Sequence, residues 1–318
     1  MRSPMSVTLV EIQQAAERIR PFAHRTPVLT NESLNQRVGV QVFLKCENMQ
    51  KVGAFKFRGA CNAVFSLSDE EAKRGVVTHS SGNHAQALAL AARLCGIPAY
   101  IVMPDNAPQV KKDAVAGYGG QITFCKPTLE ARESTMGRIR LETGATVVHP
   151  YDNERVIAGQ GTAALELLTE IPDLDVVIAP VGGGGLLSGT SIAAKGLKPG
   201  IRVIAAEPEL ADDAYRSMQA GKIVPSVNPK TIADGLLTSL GALTFPIIRQ
   251  NVEQIVTVSE RGIIEAMRFV WERVKIVIEP SAAVAVGVLW EKKIDLSGLK
   301  VGVILSGGNV DLNKLPWQ

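Results

Sequence analysis

Lys56 stands in Gly53-Ala54-Phe55-Lys56-Phe57-Arg58-Gly59-Ala60, between two aromatic residues at what reads as the start of a helix. An amine held there is partly desolvated. Desolvation beside a helix N-terminus lowers an ammonium pKa, as a Schiff-base lysine requires. An ordinary lysine whose stem covers apolar surface while its amine reaches water accounts for the same segment, so the rest of the chain must decide. The second feature is the run Gly182, Gly183, Gly184, Gly185, set between the apolar stretch Asp175 to Val181 and the helical stretch Leu186 to Ala194. Bare backbone N–H groups and a helix dipole converge there, which makes an anion cradle suited to a phosphate. A flexible glycine hinge is the plainer alternative, and the regular segments on both sides argue against it.

Two further turns are rich in hydroxyls or glycine: Thr78-His79-Ser80-Ser81-Gly82-Asn83-His84 and Leu305-Ser306-Gly307-Gly308-Asn309. Both follow apolar strands, and open α/β sheets bind ligands beyond the carboxyl ends of their strands. No G-x-x-x-x-G-K-[ST] is present, which excludes ATP hydrolysis by a P-loop. Glu207 follows the next strand after the glycine run, where the ribose-binding carboxylate of a nicotinamide cofactor would stand. An NAD-dependent dehydrogenase is therefore a distant alternative. It lacks the G-x-G-x-x-G spacing and leaves Lys56 without a role.

The elements that must position these residues follow an alternating beat. Thr8 and Glu11 form a capping box before Ile12, Ala15, Ala16 and Ile19, at helical spacing. Short apolar runs (Val42 to Leu44, Gly75 to Val77, Tyr100 to Met103, Ile122 to Phe124, Asp175 to Val181, Arg202 to Ala206, Val301 to Leu305) then alternate with helical stretches, one of them Ala158 to Glu170. This predicts an α/β fold of open parallel sheets wound in βαβ units. No Ser/Gly/Pro-rich linker divides the chain, so a second domain must be inserted. We expect a small inserted domain over 77–149 and a large domain built from 1–76 and 150–318.

Composition narrows the classes. Lys plus Arg number 34 and Asp plus Glu 31, a net charge of +3 over 318 residues, which gives no electrostatic case for nucleic acid. A 46% hydrophobic chain can bury a sizeable core, yet its apolar runs fall short of the roughly 20 residues of a membrane span. The N-terminal residues carry no apolar signal region, so the cytoplasm is the expected compartment. Cys46, Cys61, Cys95 and Cys125 form no C-x-x-C pair and are expected to be free thiols. His24, His79, His84 and His149 show no zinc spacing, so no catalytic zinc is expected.

Taken in order, G-A-F-K-F-R-G-A, S-S-G-N-H-A-Q, G-G-G-G-L, E-P-S-A and S-G-G-N-V-D-L resemble the fold-type II (tryptophan synthase β-like) pyridoxal phosphate enzymes. Within them the chain is most similar to the serine racemase and serine/threonine dehydratase family, from about Ile12 to Leu312. The resemblance implies that Lys56, with Phe55 beside it, carries pyridoxal 5'-phosphate. It implies that the N–H groups of Gly182, Gly183, Gly184, Gly185 and Leu186 hold the phosphate, Asn83 the ring hydroxyl and Ser306 the pyridine nitrogen. A serine hydroxyl is too weak an acid to protonate pyridine, so the ring is a modest electron sink and transamination is disfavoured.

The same resemblance places the substrate carboxylate on Ser80, Ser81, Asn83 and His84, aided by Arg132. Ser81 or Asn83 also reads as a helix N-cap, and Arg132 as a solvated surface charge. Lys56 would take the α-proton on one face and Ser81 would serve the opposite one. Dedicated threonine dehydratases commonly carry alanine in that place, so a racemase-type enzyme of serine and related 3-hydroxy amino acids is expected, with accompanying elimination of water to an oxo acid and ammonia. The near alternative is a dedicated threonine/serine or threo-3-hydroxyaspartate dehydratase. Glu207, Ala211 and Asp213 match the family's divalent-cation site, for Mg²⁺, Ca²⁺ or Mn²⁺; Asp212 and Asp213 also read as acidic residues favouring a helix N-terminus. Glu279 precedes Pro280, a helix N1 residue, and is read as structural. Asn31 and Glu32 replace two serines of the nucleotide-activated animal racemases, so ATP activation is not expected. The sequence stops at Gln318, so feedback control through an appended regulatory domain is not expected either. A homodimer is implied by the resemblance alone.

Overall fold

The computed structural model describes residues 7–80 and 82–317. Ten strands run in chain order: β1 (Val28–Leu29), β2 (Gln41–Cys46), β3 (Val76–His79), β4 (Ala99–Pro104), β5 (Gln121–Cys125), β6 (Thr146–Val147), β7 (Val176–Pro180), β8 (Arg202–Pro208), β9 (Gln254–Val258) and β10 (Lys300–Leu305). They form a six-stranded sheet of order β1-β2-β10-β7-β8-β9 and a four-stranded sheet of order β5-β4-β3-β6. Every pairing is parallel except β1 with β2. The four-stranded sheet is drawn from the chain between Val76 and Val147, and the six-stranded sheet from the segments on either side.

The pleat separates two cores on the larger sheet. Val176 and Ile178 of β7 join Val42, Leu44, Ile204 and Val256 in one cluster with the helices Glu260–Phe269 and Pro280–Trp290. Val177 and Ala179 face the other way, with Val203, Ala205 and Ile304, onto the helices Leu9–Ile19, Glu154–Glu170 and Gly185–Leu197. Strands buried on both faces read as continuous apolar runs, which is why this sheet is visible in the sequence. A third core combines Val76, Ile101 and Met103 of the smaller sheet with Leu88 and Ala91 of the helix Asn83–Cys95. To these it adds Phe57, Ala60, Cys61 and Val64 of the helix Lys56–Phe65. That helix also meets the helix Glu154–Glu170 backbone to backbone, since a Cβ on Gly159 would lie 2.6 Å from the Gly59 Cα. Lys56 thus begins a helix at the seam between the two sheets.

Local signals behave as their chemistry requires. The Thr8/Glu11 capping box is formed. The helix expected from Ala158 starts at Glu154, because the Asn153 side chain accepts the Val156 N–H at 3.1 Å. Asn31 likewise caps the helix Glu32–Val38 through the Leu34 N–H at 2.9 Å. The acidic Asp212 makes no side-chain cap; Glu207, reaching across from β8, takes the Ala214 and Tyr215 N–H groups at 2.7 Å each. All four cysteines are free. Among the described residues no helix is long and apolar enough to cross a membrane.

Candidate active site

The turns after β3, β7 and β10 and the start of the helix Lys56–Phe65 converge. The Phe55 N–H donates to the Ser306 carbonyl at 3.0 Å and the Gly308 N–H to the Gly53 carbonyl at 2.9 Å. Asn309 ties three segments together. Its Nδ2 reaches the Val52 carbonyl at 2.7 Å and Asn83 Oδ1 at 2.9 Å, while its backbone N–H donates to Glu279 Oε2 at 3.1 Å. Asn83 Nδ2 lies 3.1 and 3.2 Å from the two Glu279 oxygens. One amide hydrogen can serve both oxygens, which leaves the other for a ligand.

Glu279 is therefore more than the residue before a helix-starting proline. It is 5% exposed, its backbone N–H donates to the Gly307 carbonyl at 3.0 Å, and burial, reinforced by the Asp234 charge, pushes its carboxyl up to about 7. It is also the acid that most opposes the effect of burial on Lys56. Locally it reads only as the residue before a helix N1 proline, because its partners Asn83 and Asn309 stand 196 and 30 positions away in the chain.

Burial pulls the Lys56 ammonium down to about 8. Its Nζ donates to the Pro150 carbonyl at 2.8 Å and lies 5.1 Å from the centre of the Phe55 ring. The next residue, Tyr151, leads from the amine to the glycine run. Its ring stands where a Gly183 Cβ would be, and its Cα is 2.9 Å from where a Gly185 Cβ would be. Gly182, Gly183, Gly184, Gly185 and Leu186 are all buried. Gly184 adopts φ 91° as the N-cap of the helix Gly185–Leu197, and no side chain caps that helix. The first N–H groups of a helix have no carbonyl a turn earlier to pair with, so this buried end suits a phosphate and fits the cofactor implied by the resemblance. Thr244 Oγ1 donates to the Gly183 carbonyl at 2.8 Å. Asp152 accepts the Ala242, Leu243 and Thr244 N–H groups at 3.1, 2.8 and 3.3 Å. Tyr151, Asp152 and Thr244 carry no motif of their own and were not foreseen.

The carboxylate loop is partly described. Ser81 lies outside the described residues. Ser80 Oγ accepts the Gly82 N–H at 3.3 Å, and Gly82 is the N-cap of the helix Asn83–Cys95, without a side-chain cap bond; Asn83 is not the cap. His84 is buried near the start of that helix. Its Nε2 faces the Val148 carbonyl at 3.0 Å, so Nε2 bears the hydrogen and the buried Nδ1 is a bare acceptor with no partner among the described residues. Burial and the Lys56 charge hold this ring neutral, its pKa down at about 3. A bare acceptor cannot donate to a carboxylate, so what His84 offers an anion is its backbone N–H at the helix start. Arg132, in the helix Leu129–Thr143, has a buried Nε without a partner among the described residues. Its charge reaches His79, at the end of β3, where it helps burial hold the imidazole pKa down.

Glu207 and Asp213 form a separate buried pair, each 1% exposed. Burial pushes their carboxyls up to about 8 and about 6, and Asp213 Oδ2 has no partner among the described residues. No group of three or more His, Cys, Asp or Glu side chains that could hold a metal occurs among the described residues. Carboxylate oxygens are the hard ligands a divalent cation takes, and Asp213 Oδ2 is the one left free of a described partner here. Glu207 is committed to the Ala214 and Tyr215 N–H groups and buried in this pair, which takes it away from the ribose role of a dinucleotide site.

The sequence pattern of one protein family, described as "Pyridoxal-phosphate dependent enzyme", matches residues 19–307. The chain is 52% identical to serine racemase of Dictyostelium discoideum over 99% of its own length and 98% of that protein's. It is also 52% identical to beta-hydroxyaspartate dehydratase of Paracoccus denitrificans (strain Pd 1222), over 98% and 99%. The crystal structure of serine racemase from Dictyostelium discoideum superposes with a TM-score of 0.92 at 53% identity, covering 96% of this chain and 99% of that one.

Proposed function

The chain belongs to the pyridoxal-phosphate dependent enzymes, and from that premise we propose that it racemises and dehydrates small 3-hydroxy amino acids, serine first. The observation that carries this is the junction at Pro150 and Tyr151: one side meets an amine whose pKa burial has lowered to about 8, the other a buried, uncapped helix N-terminus. Lys56 is the residue that holds pyridoxal phosphate. The N–H groups from Gly182 to Leu186 would hold its phosphate, Asn83 its ring hydroxyl and Ser306 its nitrogen, with Glu279 fixing Asn83. When bound, the cofactor supplies the electron sink that makes the α-hydrogen of an amino acid acidic.

The protein's own groups then do the rest. The helix start at Gly82 to His84, Ser80 and the Arg132 guanidinium bind the substrate carboxylate. The neutral Lys56 amine takes the α-proton on its face, and Ser81 delivers or takes it on the other. Departure of the β-hydroxyl as water after proton removal leaves an enamine, whose imine tautomer is hydrolysed by a water molecule to the oxo acid and ammonia. The second reading, a dehydratase of 3-hydroxyaspartate, is favoured by the Paracoccus relative at equal identity. The test is L-serine turnover by the holoprotein, with D-serine resolved by chiral chromatography and pyruvate measured in the same sample. D-serine that disappears in Ser81→Ala while pyruvate persists is the expected result; pyruvate alone would make the protein a dehydratase.

A divalent cation between Glu207, Ala211 and Asp213 is part of the same proposal. Burial raises both carboxyl pKa values above their unfolded ones, so the pair's contribution to stability falls as pH rises from about 4 to about 8. A cation replaces those protons. Mg²⁺ is therefore expected to raise the melting temperature by a few degrees, more at pH 8 than at pH 6, and not in Asp213→Asn; an unchanged melting temperature at pH 8 would remove the cation.

We also take 77–149 as a small domain that closes over the substrate against 1–76 and 150–318, supported by the two separate sheets. Slower hydrogen exchange in that segment on substrate binding tests this. The homodimer rests on the family alone and is tested by sedimentation. The cytoplasm is supported by four free thiols and tested by fractionating the source cells.

A further inference from the structure

Directly behind the reacting end of the helix Lys56–Phe65 lies a buried ionic knot that the chemistry above does not use. Arg58 is fully buried, and two carboxylates grip its guanidinium side by side. Glu47 takes Nε at 2.7 Å and Nη2 at 2.8 Å. Glu166 takes Nη1 at 2.7 Å and Nη2 at 2.8 Å, and Thr162 Oγ1 accepts from Nη1 at 3.2 Å. Lys45, fully buried at the end of β2, donates to Glu166 Oε2 at 2.6 Å and to the Thr26 carbonyl at 2.7 Å. Thr26 Oγ1 in turn donates to Glu47 Oε1 at 2.5 Å. Two cations and two anions cancel, so the knot is neutral and every guanidinium edge is used.

Its placement is what matters. Residues two apart on a helix point about 200° from each other, so Arg58 anchors the face opposite the Lys56 amine. The helix start has no side-chain cap. Its hold comes from behind instead: the Gly59 N–H donates to Gln160 Oε1 at 3.1 Å, and the Gly159 backbone lies against the Arg58 carbonyl. Replacing a buried ion pair by apolar packing is often neutral or better for stability, so stability alone does not explain a doubly bidentate pair at this position. Two bidentate grips fix orientation in a way that packing of flexible side chains does not.

We propose that Arg58, gripped by Glu47 and Glu166 with Lys45 as the balancing cation, is a positioning residue that holds the Lys56 amine in its reacting place. The proposal rests on the reading of Lys56 as the residue that carries the cofactor.

The test compares holoproteins. Arg58→Lys keeps the charge but loses both bidentate grips, and Glu166→Gln loosens one side. Thr162→Val leaves all four charges in place and removes the hydroxyl that accepts from Arg58 and donates to the Gly159 carbonyl, so that a folded variant is in hand if the charge variants do not fold. Ile263→Val, in the buried core of the helix Glu260–Phe269, serves as a destabilised control away from the site. A small misplacement of a reacting group costs rate steeply, so the charge variants are expected to lose about tenfold to a hundredfold in kcat with little change in KM. Thr162→Val should lose a few-fold in the same direction. All three should alter the circular dichroism of the cofactor's visible band, which reports the pose imposed through Lys56, while Ile263→Val keeps both kcat and band. Variants that melt earlier but match the control in kcat and visible band overturn the proposal. A wild-type protein that binds no cofactor on Lys56 overturns the earlier reading instead, so the two failures are distinguishable.

Discussion

Lys56→Ala is expected to give a folded, colourless protein whose turnover of L-serine falls by about 10⁴-fold or more. Two functions leave with one amine: the covalent hold on the cofactor and the transfer of the α-proton. Positioned proton transfer alone contributes about 10²–10⁴-fold, and residues that act as one unit cost about as much singly as together. The fold should survive, because the amine's described hydrogen bond is to the Pro150 carbonyl and the core around Phe57, Ala60 and Cys61 is untouched. Absorbance spectra, turnover and a melting curve on the same preparation check this. A yellow Lys56→Ala protein that still turns over would mean that another amine carries the chemistry.

The second large effect is expected at Gly184. Its φ of 91° lies where an L side chain is strained, and an added Cβ would stand 2.8 Å from Ile248 Cδ1 and 2.9 Å from Thr244 Cβ. Left-handed backbone costs a non-glycine residue about 1–2 kcal/mol, and the collision with Thr244 adds to it. Relief requires the loop to move, which turns the cradle's N–H groups away from the phosphate. A penalty of about 2–3 kcal/mol corresponds to roughly 30- to 150-fold weaker binding. Gly184→Ala should therefore release pyridoxal phosphate on dilution or dialysis while wild type retains it, and kcat should recover largely at saturating cofactor. Unchanged cofactor affinity would show that the glycine run does not hold the phosphate.

What the sequence disclosed and what it hid follow from distance along the chain. Lys56 between two phenylalanines, and four glycines between a strand and a helix, are local patterns, and their chemistry can be read locally. The central strands β7, β8 and β10 are continuous apolar runs for the same reason. β1 and β6 are two residues each, too short for any periodicity. β9 is an edge strand with Gln254 and Thr257 only partly buried, and its pattern did not stand out. The helix start at Glu154 was set by Asn153, a cap that reads equally well as a loop residue. At the site, the Glu279–Asn83–Asn309 cluster joins residues as much as 226 positions apart. The Tyr151 ring on Gly183 and the Asp152 grip on Leu243 are likewise tertiary facts. At His84 the detail is also tertiary: only the Val148 carbonyl at 3.0 Å makes Nε2 the donor and leaves Nδ1 an acceptor.

The most direct test of the central claim is to strip the cofactor, return pyridoxal phosphate between pH 6 and pH 10, trap the imine with borohydride, and map the labelled peptide by mass spectrometry. Only the neutral amine adds to an aldehyde, so capture should rise with pH and reach half its maximum near pH 8, where burial has placed the Lys56 pKa. The label is expected on Lys56. A label on another lysine such as Lys51 or Lys111, or capture at Lys56 that does not change between pH 6 and pH 10, would contradict the account.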